Sequence, residues 1–213
     1  GVLTMFTGAL LALFSINLKR TLACSSMSQI GFILVGIGMQ GLLGADNALA
    51  VRGTILHMVN HSLIKLVLFM AAGVVFFNIH KLDLNEIRGF GRKKPALLFA
   101  FATGALAIGG IPLFSGYISK TLLHESILEY AKFIAGSSRY SAVKSVEWIF
   151  LLTGGMTIAY MLKLFVALFV EKNEHQESMD AFCKTYMKPQ TAFALTGSAV
   201  VLLILGLTPN VTM

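Results

Sequence analysis

Apolar residues fill long uninterrupted runs in this chain instead of alternating with polar ones. Six runs stand out, at about residues 2–16, 21–43, 47–78, 95–133, 146–170 and 190–208, separated by short polar loops. A helix needs roughly 20 residues to cross the hydrocarbon of a bilayer. The pattern therefore predicts an all-α fold: a polytopic transmembrane helix bundle with about six crossings, forming a single domain over 1–213. The first run is short for a full span, and the third is long enough that it must tilt or project.

The fourth run cannot be one plain helix. As a straight helix, 95–133 would reach nearly 60 Å at about 1.5 Å per residue, about twice the hydrocarbon thickness. Its middle reads Gly109-Gly110-Ile111-Pro112-Leu113-Phe114-Ser115-Gly116, where glycine weakens a helix and proline removes a donor and clashes with the preceding turn. The expectation is a discontinuous helix, two halves joined by unwound backbone. Such backbone is tolerated at membrane depth only inside protein or beside a wet cavity, as at the ion and substrate sites of transporters.

Composition agrees with the pattern. Of 213 residues, 56% are hydrophobic and 13% charged, against roughly 25% charged in a soluble domain, and the mean hydropathy is +0.77. The net charge of +7 raises nucleic acid as a partner, but the charges sit in short loops beside apolar runs, so the lipid bilayer is the expected partner and nucleic acid is not. Cys24 and Cys183 are far apart and lack metal-binding spacing, so no disulfide framework or metal site is expected. No P-loop, dinucleotide fingerprint or cysteine array for an iron–sulfur cluster is present. Nucleotide hydrolysis, electron transfer and bound cofactors are thus not expected in this chain. The opening at Gly1 without a signal-peptide pattern, and the end Thr208-Pro209-Asn210-Val211-Thr212-Met213 without a polar tail, suggest a truncated or split chain.

The loops after the first, third and fifth runs hold Lys19, Arg20, Lys81, Arg88, Arg92, Lys93, Lys94, Lys172, Lys184 and Lys188. The opposite side offers Arg52, Lys132, Arg139 and Lys144. The positive-inside rule places the first set in the cytoplasm of a multi-pass inner or plasma membrane protein.

Ionisable residues inside apolar runs carry the candidate chemistry. His57, His61 and Lys65 recur every four residues, so they follow one helix face with Asn60 and Ser62 nearby. A lysine at a helix centre costs about 2.5–3.5 kcal/mol on insertion, and such residues face a bundle interior or a water-filled cavity. The bland alternative is a snorkelling Lys65 with histidines bonded in the core, but Lys65 lies too far from either polar loop for its stem. Lys120 follows the Gly/Pro break, and His124 lies one helical step further on the same face, a possible exit-side group. Glu125 and Glu129 read as exit-side or surface carboxylates. Thr21, Ser25, Ser28 and Gln29 read as helix-packing polar residues or a water wire. Lys163 reads as a snorkelling lysine, and the pairs Gly36/Gly38 and Gly154/Gly155 as close-packing points.

Three stretches together resemble a known family. Asn17-Leu18-Lys19-Arg20-Thr21-Leu22-Ala23-Cys24-Ser25-Ser26-Met27-Ser28-Gln29-Ile30-Gly31 is similar to a signature of the antiporter-like subunits of respiratory complex I. That subunit type also occurs in Mrp-type cation/proton antiporters and membrane-bound hydrogenases. His57-Met58-Val59-Asn60-His61-Ser62-Leu63-Ile64-Lys65 resembles the family's histidine–lysine helix, and 109–120 its discontinuous helix. The resemblance implies a proton relay in which His57, His61 and Lys65 are central and Lys120 is terminal. It implies partnership with other membrane subunits of a multisubunit, redox-driven complex of the NADH:quinone oxidoreductase type. It also implies that the chain covers the second of two inverted five-helix repeats plus a following helix. Asn17 stands where the family has Asp, and Cys24 where it has Tyr, so an ion pair at the first of these is not carried over. Sodium/proton exchange, a hydrogenase membrane subunit and a purely structural subunit remain as other readings. No acidic partner for Lys65 or Lys120 is visible inside the runs.

Overall fold

The computed structural model describes residues 1–173, 176–181 and 186–208. Cys183, Lys184 and the last five residues lie outside the described residues. The described chain is helical: α1 Val2–Phe14, α2 Leu18–Leu43, α3 Ala48–Ile79, α4 Leu84–Ile87, α5 Pro95–Gly109, α6 Ser115–Phe133, α7 Tyr140–Phe165 with a π-helical continuation Val166–Val170, α8 Gln176–Ala181 and α9 Pro189–Leu207. Four helices, α2, α3, α7 and α9, are long and apolar enough to cross a membrane. α1 and α5 are shorter apolar helices.

Local chemistry accounts for the element ends. Asn17 caps α2, its Oδ1 accepting from Arg20 N at 3.1 Å. Asp83 does the same for α4 from Asn85 N at 2.9 Å. Pro95 and Pro189 open α5 and α9, where the missing N–H costs nothing. Reciprocal bonds, Leu18 N to Leu82 O and Leu84 N to Ile16 O, tie the α1–α2 turn to the chain after α3. Phe14, Phe77, Trp148 and Phe193 are exposed, as expected of a surface that faces lipid or other membrane protein.

The fourth run is broken where glycine and proline interrupt it. Gly110 has φ +76° and Leu113 φ +75°. Glycine adopts that conformation freely, while leucine there is strained. Gly206 of α9 packs directly on the Leu113 carbonyl and Phe114 backbone, leaving no room for a Cβ, so the last helix covers the break. α3 packs on α2, α5, α6 and α9, which puts its polar face in the interior.

Three cations outside the apolar runs sit in helices instead of loops. Lys19 and Arg20 lie in α2 and Lys144 in α7, because these helices begin before their apolar runs. Lys94 is only 1% exposed; its ammonium donates to Phe90 O at 2.6 Å and sits 4.0 Å from the Phe90 ring centroid.

The connection 88–94 docks on the π-helical turn through Gly89 N to Ala167 O and Gly91 N to Leu168 O, both 2.9 Å, and through an Arg92 bond to Val170 O. Lys93 reaches Asp180 of α8 at 2.6 Å. The Lys93 ammonium, aided by Gln176, holds the Asp180 carboxyl below the usual aspartate range. A lowered carboxyl adds stability above the ordinary value of about 3.9 and loses it as pH falls through the folded value. Asp180→Asn is expected to reduce amide-exchange protection of α8 slightly at pH 7. The difference from wild type should shrink as pH falls below about 3.9.

Candidate functional site

The polar face of α3 meets α2 on one side and the start of α6 on the other. Lys65, 7% exposed, donates from Nζ to Leu22 O of α2 at 2.8 Å, with the Phe69 ring centroid 5.9 Å away. His61, one turn back, is half-buried, and its Nε2 has no hydrogen-bond partner. Asn60 donates from Nδ2 to Ser115 O at 2.8 Å, tying α3 to the first residue of α6. His57, 3% exposed, places Nδ1 2.9 Å from Ser119 Oγ. The Ser119 hydroxyl donates to Gly116 O at 3.2 Å, so its lone pairs face His57. In that arrangement His57 carries its proton on Nδ1 and presents a basic Nε2, which has no partner.

Lys120 uses the helix break directly. The last carbonyls of a helix lack intrahelical partners, and the one on Ile108, near the end of α5, accepts from Lys120 Nζ at 2.7 Å. The Phe32 ring of α2 lies 5.0 Å from this ammonium and 6.0 Å from the His57 ring. Successive turns of α3 thus carry Lys65, His61 and His57, and the Phe32 ring lies beside both His57 and Lys120, which gives the order Lys65, His61, His57, Lys120. Beyond Lys120, the His124 ring stacks on Phe150 of α7 at 5.8 Å and 24°. Its Nε2 is 3.6 Å from Glu147 Oε1. An open cleft of about 330 Å³ is lined by Phe32, Gly110, Lys120, Thr121, His124 and Phe150, among others.

Residues 1–143 match the family model described as NADH:quinone oxidoreductase/Mrp antiporter, TM. The chain belongs to the NADH:quinone oxidoreductase/Mrp antiporter family. It is 29% identical over 207 residues to formate hydrogenlyase subunit 3 of Escherichia coli, covering 94% of this chain and 34% of that protein. It is 31% identical over 215 residues to an NAD(P)H-quinone oxidoreductase chain 4 of Thermosynechococcus vestitus, covering 99% of this chain and 37% of that one. The chain thus spans about a third of the length of these curated relatives. Its fold is similar to a chain of the Mrp complex from Dietzia (TM-score 0.79, 20% identity, 99% of this chain and 43% of that chain). It is likewise similar to a chain of respiratory complex I from Thermus thermophilus (TM-score 0.77, 20% identity, 99% and 40%).

In this antiporter-family chain, the helices bring His57, His61, Lys65, Lys120 and His124 onto one line. Other residues read from sequence take different places. Ser25 pairs with the fully buried Tyr160 hydroxyl of α7 at 2.9 Å, and Ser28 donates to Met5 O. Gln29 is buried beside the Tyr160 hydroxyl. Glu125 is exposed, and Glu129 is half-buried with Oε2 unpartnered. Among the described residues, no group of three or more His, Cys, Asp or Glu lies close enough to hold a metal.

Lys163 does not snorkel. Its amine donates to Ala12 O, Leu13 O and Ser15 O at 3.1, 2.7 and 2.6 Å, closing the carbonyl end of α1 with a cation where the helix dipole favours one. Lys163→Met should cost about 1–3 kcal/mol, since three acceptors lose a charged donor. A fall in melting temperature of the solubilised protein checks this.

Glu147 of α7 is a further acid at this site. It sits two residues into the fifth apolar run, where an interior carboxylate is itself a functional signal, but only the α6–α7 contact reveals that it faces His124. The roles of Phe32 and Tyr160 had no sequence signal beyond helical spacing.

Proposed function

We propose that this antiporter-family membrane chain carries the central and outer parts of a proton path. It does so within an antiporter-like subunit of a redox-driven complex of the NADH:quinone oxidoreductase type. The observation that carries the reading is the line of the buried Lys65, the half-buried His61 and the buried His57 and Lys120, which runs from the α2–α3 contact to the broken helix. Each member can hold or pass a proton, and buried polar atoms without partners, His57 Nε2, His61 Nε2 and Asn60 Oδ1, are groups that water molecules bridge in proteins. A charge change in a neighbouring subunit alters the proton affinity of Lys65, and the proton moves through the histidines to Lys120.

The same reading takes residues 1–213 as one transmembrane domain, the second inverted repeat plus a following helix. It counts six crossings: the four long helices, α1, and the α5–α6 pair as one broken span. The loops after the first, third and fifth crossings face the cytoplasm of the inner or plasma membrane. Its partners are the other membrane subunits of that complex. Sodium exchange finds less support, because the line offers amines and imidazoles where sodium needs clustered oxygen ligands.

The test is proton translocation by the native complex in proteoliposomes, energised by its own driving reaction with and without sodium. Undiminished proton movement in sodium-free medium is expected. Movement that requires sodium would favour the exchanger reading.

A further inference from the structure

Among the described residues, Glu147 is the carboxylate that pairs with His124, where the line of ionisable groups reaches the open cleft. It projects from the second turn of α7 toward α6, with a side chain 14% exposed. Its two oxygens have different partners. Oε2 is 2.7 Å from Lys144 Nζ, on a side chain 37% exposed, and Oε1 is 3.6 Å from His124 Nε2. That second distance is within ion-pair range but too long for a made hydrogen bond, and His124 Nε2 is otherwise buried without a partner. His124 is held flat against Phe150 and shares the cleft with Lys120, one helical turn away.

We propose that Glu147 is the outward proton acceptor of this chain, taking the proton that Lys120 passes to His124 and releasing it to water beside Lys144. This rests on the relay proposed above. The step moves a proton and nothing else. The Lys120 ammonium gives H⁺ to the His124 ring and becomes a neutral amine. The imidazolium gives H⁺ from Nε2 to Glu147 Oε1, and the resulting carboxylic acid gives it to bulk water. His57, itself protonated from His61, then gives H⁺ to the Lys120 amine and returns to neutral imidazole. The Lys144 ammonium balances the carboxylate at rest and leaves Oε1 turned to the histidine. Closing 3.6 Å to a hydrogen bond needs a shift of less than 1 Å, within the reach of side-chain rotation. The geometry is that of a contact made while His124 is charged and relaxed once the proton has gone.

The experiment compares the native complex carrying wild-type chain, Glu147→Gln, Glu147→Asp or Lys120→Ala, in proteoliposomes with an entrapped pH dye. Each is energised by the driving reaction of the complex. Glu147→Gln should slow the initial proton rate about ten-fold or more in assembled complex, and Glu147→Asp, which keeps the carboxylate, should stay above that level. A normal rate in Glu147→Gln beside a dead Lys120→Ala overturns the role of Glu147 and leaves the relay standing. Normal rates in both overturn the relay and this role with it. If Glu147→Gln fails to assemble, Glu147→Asp decides: a rate below a tenth of wild type overturns the proposal, and a higher one supports it.

Discussion

Lys65→Ala is expected to lower proton translocation by the assembled complex about 100-fold, while leaving its thermal stability unchanged or slightly raised. The two halves of that expectation come from the same contacts. Lys65 is buried with one carbonyl acceptor, Leu22 O, and one aromatic face, Phe69. An ammonium so placed has shed most of its hydration for a single neutral hydrogen bond, and burial of that kind costs more than it returns. Alanine removes the cost along with the bond. The Leu22 carbonyl lies inside α2, where the helix can still use it. A lysine placed for packing would behave oppositely, with stability falling and flux persisting. General acid–base groups contribute roughly 100- to 10,000-fold to the steps they serve, and the lower end suits a relay in which water can partly substitute. Initial rates of proton movement and melting curves on one preparation separate these outcomes.

Gly116→Val is expected to be the most damaging single substitution at the helix break. A Cβ at position 116 falls on the Ala107 carbonyl oxygen and comes within 2.9 Å of its carbon. That carbonyl cannot retreat, because it accepts from Gly110 N at 3.1 Å and so helps to close α5. The start of α6 must then move away from α5, and Ser115 and Ser119, which hold Asn60 and His57, go with it. Overpacking of this kind costs about 1–3 kcal/mol or more, and the displaced serines would slow any complex that still assembled. Gly154→Ala is the control, since nothing lies within 4 Å of a Cβ there. Assembly by native gel and melting temperature should fall for Gly116→Val and hold for Gly154→Ala.

Much of this arrangement is legible in the sequence. Long apolar runs mark the helices to within a few residues because the bilayer demands continuous hydrophobic length. The polar first turns of α7, Tyr140 to Ser145, and the short helices α4 and α8 escape that signal. The break at 110–114 is legible because Gly109-Gly110-Ile111-Pro112 cannot continue a helix. The spacing of His57, His61 and Lys65 follows from helical geometry alone. Contacts between helices are not legible in the same way. Lys163 reads as a snorkelling lysine because its partners, the carbonyls of Ala12, Leu13 and Ser15, lie about 150 residues away in the chain. Lys94 reads as a loop cation, although Phe90 and Tyr186 enclose it. Glu147 reads as the end of a run until α6 and α7 are set side by side. A backbone carbonyl leaves no trace in the sequence, and carbonyls hold both Lys65 and Lys120.

The central claim, that a proton passes along this buried line and leaves by way of Lys120, is tested most directly by one comparison. Proton translocation by wild-type and Lys120→Ala complex is measured in the same sodium-free proteoliposomes under the same driving reaction. The relay predicts that the variant assembles, keeps the fold of the break and moves protons at no more than a few per cent of the wild-type rate. Translocation at the wild-type rate by an assembled Lys120→Ala complex would contradict it.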